Sequence, residues 1–243
     1  MDEAIVLLHG SANGSFSWAS VRAGLAERGL GSYAPDMLGY GRAPAPSDAY
    51  DLDEEMRHLA GQIDGKGIDR LHLVAHSLGS MYALHLRLAL GARVTRLTLV
   101  DPVLVSVLRE TGEDDGYAEM EAQYQRFMAA ADDEAAARAF VNHWSGTGAW
   151  EAIGVKARAQ VTGLAPRLRL EMLLTRSDIT ALSLLCALPP PTEILVGERT
   201  IEGPRGASRQ LARAFGAKLT IVPGAAHMIP LTHPNAIVEA ITR

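Results

Sequence analysis

The chain has 243 residues, 48% of them hydrophobic and 21% charged, enough apolar material for a sizeable core and far from the composition of a disordered protein. Its 23 basic residues against 28 acidic ones leave a net charge of −5, so no cationic surplus exists to neutralise a phosphate backbone, and nucleic acid is excluded as the expected partner. At a prior of ~150 residues per domain, the length suits one α/β domain carrying an insertion. The single cysteine, Cys186, can form no internal disulfide; it lies in the apolar run 182–188, where a small buried side chain is expected. No window reaches the ~18 consecutive apolar residues of a membrane span. The first residues lack the basic and long apolar regions of an export signal, so a cytoplasmic protein with no membrane partner is expected.

Short β-rich apolar runs fall at 5–8, 31–35, 71–74, 94–100, 193–196 and 218–222. They are nearly continuous in apolar residues, the pattern of strands covered on both faces in a parallel sheet. Segments of helical period lie at 18–28, 52–63, 78–90, 205–215 and 234–242. This alternation predicts an α/β fold, a predominantly parallel sheet with helices on both faces.

Between Pro102 and Pro189 the alternation stops. Met120, Tyr124, Phe127 and Met128 are spaced i, i+4, i+7 and i+8, and Asp132 or Asp133 is placed to cap a following helix that sets Phe140, Val141 and Trp144 on one side. Residues 103–188 therefore read as an all-helical lid insertion, with 1–102 and 189–243 as the core domain. Asn142, His143 and Trp144 are read either as facing a pocket or as packing residues. Pro189-Pro190-Pro191 can continue neither helix nor ladder and marks the return to the sheet.

The most informative stretch is Leu71-His72-Leu73-Val74-Ala75-His76-Ser77-Leu78-Gly79-Ser80. A serine between an apolar strand and a helix sits where unpaired backbone N–H groups and the helix macrodipole favour developing negative charge. So sharp a turn admits only small residues two positions to either side, and Ala75 and Gly79 meet that demand. Here the chain resembles the α/β-hydrolase fold family, whose nucleophile elbow reads G-x-S-x-G, with Ala75 in place of the first glycine. The resemblance implies Ser77 as nucleophile. Leu8-His9-Gly10-Ser11 is similar to the family's H-G-x turn, which implies an oxyanion hole made by the backbone N–H groups of Ser11 and Leu78, worth about 3 kcal/mol per donor. His9 itself reads as a structural residue hydrogen-bonded beneath that loop. The segment Pro35-Asp36-Met37-Leu38-Gly39-Tyr40-Gly41 is similar to the family's P-D-x-x-G-x-G loop, with Asp36 serving the turn and not catalysis. The family's usual first hairpin is expected to be absent, since the run at 5–8 already leads into His9-Gly10. The sheet edge so exposed would pair in a dimer or be covered by the first helix, and both monomer and homodimer stay open.

A serine hydroxyl is a weak nucleophile until a neighbouring base takes its proton. His227 follows the last predicted strand, where the family's base sits; His233, beside Pro234, reads as a cap or surface residue. For the orienting acid, the common family position in Gly197-Glu198-Arg199-Thr200 holds a threonine, which cannot carry the required charge. Asp101, at the carboxyl end of the run 94–100, is the preferred replacement, because some members of the family take their acid from this earlier strand and because ligands meet an open parallel sheet at that edge. Glu198 and Glu202 stay as alternatives.

These readings together predict a carboxylesterase-like serine hydrolase with a Ser77-His227-Asp101 triad. Its expected substrate is a small to medium apolar ester, or a related acyl or carbon–carbon bond, with an apolar acyl or aromatic group. A serine at position 77 argues against dehalogenase chemistry, which uses a carboxylate nucleophile in this fold. No metal or cofactor is expected, since no phosphate loop, paired-cysteine site or H-E-x-x-H helix is present. The alternatives are a cofactor-independent lyase or oxygenase using the same histidine and acid, and a non-catalytic ligand-binding member, the reading that Thr200 favours.

Overall fold

The computed structural model of the chain describes residues 3–187 and 189–243. Met1, Asp2 and Leu188, the expected last residue of the insertion, lie outside the described residues. Six strands, β1 (Ala4–Leu8), β2 (Ser32–Tyr33), β3 (Leu71–His76), β4 (Val94–Val100), β5 (Thr192–Gly197) and β6 (Lys218–Val222), form one sheet. Their order is β2-β1-β3-β4-β5-β6, and every neighbouring pair is parallel. Each run predicted as a strand is therefore paired. The run at 31–35 pairs over only two residues, at the sheet edge, where Pro35 offers no N–H to extend a ladder.

Helices α1 (Ala19–Ala26), α2 (Leu52–Asp64) and α3 (Leu78–Leu90) precede β4. Between β4 and β5 come α4 (Val105–Thr111), α5 (Asp114–Met128), α6 (Asp133–Ser145), α7 (Ala149–Ala152), α8 (Val155–Gly163), α9 (Ala165–Ser177) and α10 (Leu182–Leu185), with no strand among the described residues of that segment. The chain closes with α11 (Glu202–Phe215), α12 (Ile229–Thr232) and α13 (Pro234–Thr242). Val6, Leu8, Leu71, Leu73 and Ala75 point to one face and pack with side chains of α2, α3 and α11; Ile5, Leu7 and Val74 point to the other and pack with α1 and α13. Both faces are dry, which is why the strand sequences run apolar without alternating.

Asp132 caps α6, its carboxylate accepting from the Ala135 N–H at 2.8 Å, as Asp51 caps α2. Met120 and Phe127 are buried, so the stripe on α5 packs inward, while Tyr124 lies beneath the Arg176 guanidinium, 4.5 Å from its ring centre. Cys186 departs from expectation: it is half-buried. Among the described residues of its run only Leu185 is fully covered, because α10 is a single turn that turns one side chain inward and leaves Leu184 exposed.

The helical segment is fastened to the core by Arg167 on α9. Its Nε donates to the Leu38 carbonyl at 2.7 Å, and its Nη2 donates to Glu55 Oε2 and to the Tyr50 hydroxyl, both at 2.9 Å. Glu55 in turn accepts from the Leu38 N–H at 3.1 Å. Both ions are buried, and the hydrogen bonds offset part of the several kcal/mol that desolvating each of them costs.

Candidate active site

Among the described residues, three that are not glycine have positive φ: Ala12, Ser77 and Asp101, at 56°, 55° and 47°. Each such conformation costs about 1–3 kcal/mol and persists only where its surroundings hold it. All three lie at the carboxyl edge of the sheet, at the ends of the loops that follow β1, β3 and β4.

Ser77 sits between β3 and α3. Its N–H donates to the Val100 carbonyl at 3.0 Å, which anchors the turn to β4. The loop after β1 crosses the start of α3 so closely that a Cβ on Gly79 would lie 2.5 Å from the His9 carbonyl oxygen and 2.7 Å from that of Leu8. A Cβ on Gly10 would lie 2.8 Å from the Ser77 Cβ. Gly79 is thus required by the approach of another backbone and Gly10 by the Ser77 and His76 side chains, while Ala75 is fully buried.

His227 lies on the loop after β6. Its Nε2 is 3.0 Å from Ser77 Oγ and its Nδ1 is 2.6 Å from Asp101 Oδ2. Asp101 is completely buried, and each of its oxygens is engaged: Oδ1 accepts from the Gly197 N–H at 2.9 Å, and Oδ2 accepts from the Thr200 hydroxyl at 2.5 Å as well as facing His227. With Nδ1–H donated to the carboxylate, Nε2 is the acceptor that faces the serine hydroxyl. Neither alternative acid reaches the imidazole. Glu198 accepts from the Gly224 N–H at 2.8 Å and braces the β6 turn, while Glu202 pairs with Arg205 and Arg209 on its own helix. His233 occupies the N-cap position of α13, makes no capping bond with its side chain, and bonds Thr232 instead.

Two neighbours of His227 are His76, to which the sequence assigns no role, and Trp144, which faces the pocket. His76 donates its Nε2–H to the His227 carbonyl at 2.9 Å, pinning the loop; burial first, then the adjacent His227, hold its ring well below the ordinary histidine range, so it stays neutral. Trp144 on α6 stacks on the His227 ring with centroids 4.2 Å apart and planes at 26°. Of its companions, Asn142 accepts from the Trp150 N–H, and His143, pushed down to about 4 chiefly by burial, meets Trp144 edge-on. His9 accepts the Met37 N–H at its Nε2, which leaves Nδ1–H to donate to the Gly10 carbonyl, and burial lowers it to about 4. It is the hydrogen-bonded support beneath the loop that its sequence position implies. Asp36 accepts from the Ser15 and Arg42 N–H groups, a turn role.

The backbone N–H groups of Ser11 and Leu78 donate to no group among the described residues, and both residues border the space beside Ser77 Oγ. Two chambers meet there. One, of about 330 Å³, is walled by Phe16, Phe140, Val141, Trp144, Val161 and Leu231 and reaches Ser77 and His227. The other, of about 40 Å³, touches Ser77, Ser11 and Leu78 and is closed by Gln123 and Glu171. A hydroxyl aligned with a carboxylate-oriented imidazole, next to free N–H donors, can attack a carbonyl carbon and hold the oxygen's developing charge.

Comparison with known proteins agrees with this architecture. The family described as "Alpha/beta hydrolase family" matches residues 5–240. The 2-hydroxy-6-oxo-2,4-heptadienoate hydrolase of Pseudomonas putida is 36% identical over 113 residues, 45% of this chain and 41% of that protein. The 2-hydroxymuconate semialdehyde hydrolase of a Pseudomonas species is 34% identical over 129 residues, 51% of this chain and 46% of that protein. The matches thus span less than half the length of either relative. Among solved structures, a hydrolase from Pseudomonas aeruginosa superposes with a TM-score of 0.75 at 19% identity, covering 99% of this chain and 88% of the other. An epoxide hydrolase from Vigna radiata gives 0.73 at 19% identity, with 100% and 90% covered. The fold and the match over nearly its whole length make this chain a member of the alpha/beta hydrolase family.

Proposed function

We propose that this protein is a carboxylesterase-like serine hydrolase that cleaves a small to medium, largely apolar ester, with Ser77 as nucleophile, His227 as base and Asp101 as the acid that orients it. The observation that carries this reading is the unbroken chain from Ser77 Oγ to His227 Nε2 at 3.0 Å and from His227 Nδ1 to Asp101 at 2.6 Å. In the proposed cycle, Ser77 Oγ bonds to the carbonyl carbon as its proton passes to His227 Nε2. The N–H groups of Ser11 and Leu78 hold the resulting oxyanion. Collapse breaks the bond to the leaving oxygen, which takes the proton back from Nε2 and departs. Water then repeats the sequence on the acyl-enzyme and frees the acid. Asp101 keeps its charge throughout and stabilises the imidazolium.

The walls of the larger chamber support an apolar or aromatic substrate portion. Relatives named as hydrolases of a 2-hydroxymuconate semialdehyde and of a 2-hydroxy-6-oxo-2,4-heptadienoate support hydrolysis as the reaction. The test is turnover of short p-nitrophenyl esters by wild type and by Ser77→Ala. The expected loss on substitution is at least about 10³-fold in kcat. Equal turnover by the two proteins would overturn the proposal, and binding of such esters without turnover would favour a ligand-binding role.

A further inference from the structure

Three residues that border the smaller chamber, Glu171, Gln123 and Trp144 at its Nε1–H, carry buried polar atoms that the mechanism leaves unused. Glu171, 2% exposed, has no hydrogen-bond partner at either carboxylate oxygen, and Gln123, 4% exposed, has none at its Nε2. Burial raises the Glu171 carboxyl above the ordinary carboxylate range, against the opposing pull of Arg167 and of the nearby Ser11 and Tyr40 hydroxyls, and Arg167 Nη2 stands 3.5 Å away while closing its shorter pair with Glu55 at 2.9 Å. One guanidinium therefore serves two buried carboxylates. A buried polar group without a partner costs about 1–3 kcal/mol, a demand that a ligand can meet.

The chemistry of the proposed cycle assigns the two chambers. The leaving oxygen must take a proton from His227 Nε2, so the leaving group lies on the side of His227, which borders the larger chamber and not the smaller. The acyl group then occupies the smaller one. At about 10–15 Å³ for each water-sized sphere, 40 Å³ admits roughly three or four heavy atoms. The chamber offers an acceptor at Glu171 and a donor at Gln123. Of a hydroxyl, an ammonium and a methyl, only the hydroxyl both donates and accepts; the ammonium cannot accept and the methyl does neither.

We infer that Glu171 and Gln123 make this chamber an acyl pocket for short 2-hydroxyacyl groups, whose hydroxyl donates to Glu171 and accepts from Gln123. The inference rests on Ser77 being the nucleophile. Its test compares p-nitrophenyl glycolate with p-nitrophenyl propionate, which differ by hydroxyl against methyl at the same size. The readout is the ratio of their kcat/KM values, divided by the ratio of their rates with hydroxide. The expected ratio for wild type is about tenfold or more in favour of the glycolate. In Glu171→Leu it falls towards one, and in Gln123→Met it falls part of the way. A wild-type ratio near one, with Ser77-dependent turnover of both esters, overturns the hydroxyacyl assignment and leaves the nucleophile in place. A ratio that survives in Gln123→Met and Glu171→Leu overturns it equally, and Gln123→Met alone decides if the other variant does not fold. Absence of Ser77-dependent turnover on either ester removes both readings.

Discussion

Thr200 donates its hydroxyl to Asp101 Oδ2 at 2.5 Å, and that same oxygen faces His227 at 2.6 Å. The threonine stands where many members of the family carry their acid, on the loop after β5. In the proposed triad the carboxylate stands one strand across the sheet, at the end of β4, and the threonine is its hydrogen-bond donor. The last residue of β5 and the loop after it hold Asp101 at both oxygens, through the Gly197 N–H and the Thr200 hydroxyl.

This arrangement makes the acid exchangeable between two neighbouring strands. Asp101→Asn is expected to lower kcat by about 10⁴-fold, because the amide favours the wrong imidazole tautomer. Adding Thr200→Asp returns a carboxylate to the same imidazole from the adjacent strand, and recovery of about tenfold or more is expected. Steady-state turnover of an aryl ester by the three proteins checks this. No recovery in a folded double variant would contradict it.

Gly79→Ala introduces a Cβ 2.5 Å from a backbone oxygen that cannot move without shifting β1. A loss of about 3 kcal/mol is expected, at the upper end of overpacking costs. Ala75→Gly, in contrast, only loosens the strand and removes one buried methyl, for about 1–2 kcal/mol. Urea midpoints at constant m-value distinguish the two.

Arg167→Met leaves Glu55 and Glu171 buried without a cation, and a loss of about 3–5 kcal/mol is expected. Replacing Glu55 and Glu171 by leucine as well removes the uncompensated charges, so the triple variant should regain most of that stability. Thermal unfolding at matched conditions measures it, and a triple variant no more stable than the single one would contradict the electrostatic account.

Stability should fall in mild acid. Burial holds folded His9 and His143 to about 4 and His72 to about 3, and holds His76 well below the ordinary value. The unfolded chain takes up these protons near pH 6.5, so between pH 6.5 and 4 it binds more protons than the folded one. Glu55 and Glu171, raised by burial, act in the opposite sense, but they are two against four. Unfolding free energy should drop by about 1.4 kcal/mol per pH unit for each net proton. Denaturant titrations at pH 7, 6 and 5 check the slope, and a flat profile would contradict the buried neutral histidines.

Much of the frame is legible in sequence because it is local. The strand–serine–helix turn, the His9-Gly10 loop and the position of His227 are written in short segments whose geometry depends on their own small residues and turns. The strand at 31–35 was harder to bound, because an edge position and not local propensity limits its pairing to Ser32 and Tyr33. The donor role of Thr200 depends on a pairing of β4 with β5 that brings residues 99 positions apart into contact. Trp144 over His227 and Glu171 beside Ser11 depend on how α6 and α9 return over the sheet edge, which helical periodicity alone does not specify. Sequence identified that segment as helical, with residue positions for the stripes of α5 and α6 alone, and not the faces that close the chambers.

The central claim is that Ser77 is a hydroxyl activated by His227. Intact mass spectrometry after exposure to a fluorophosphonate, followed by peptide mapping, tests it most directly. One covalent adduct is expected, on Ser77, formed at least about 10²-fold more slowly in His227→Ala and absent from Ser77→Ala. An unlabelled wild-type protein, or an adduct of equal yield in Ser77→Ala, would contradict the account.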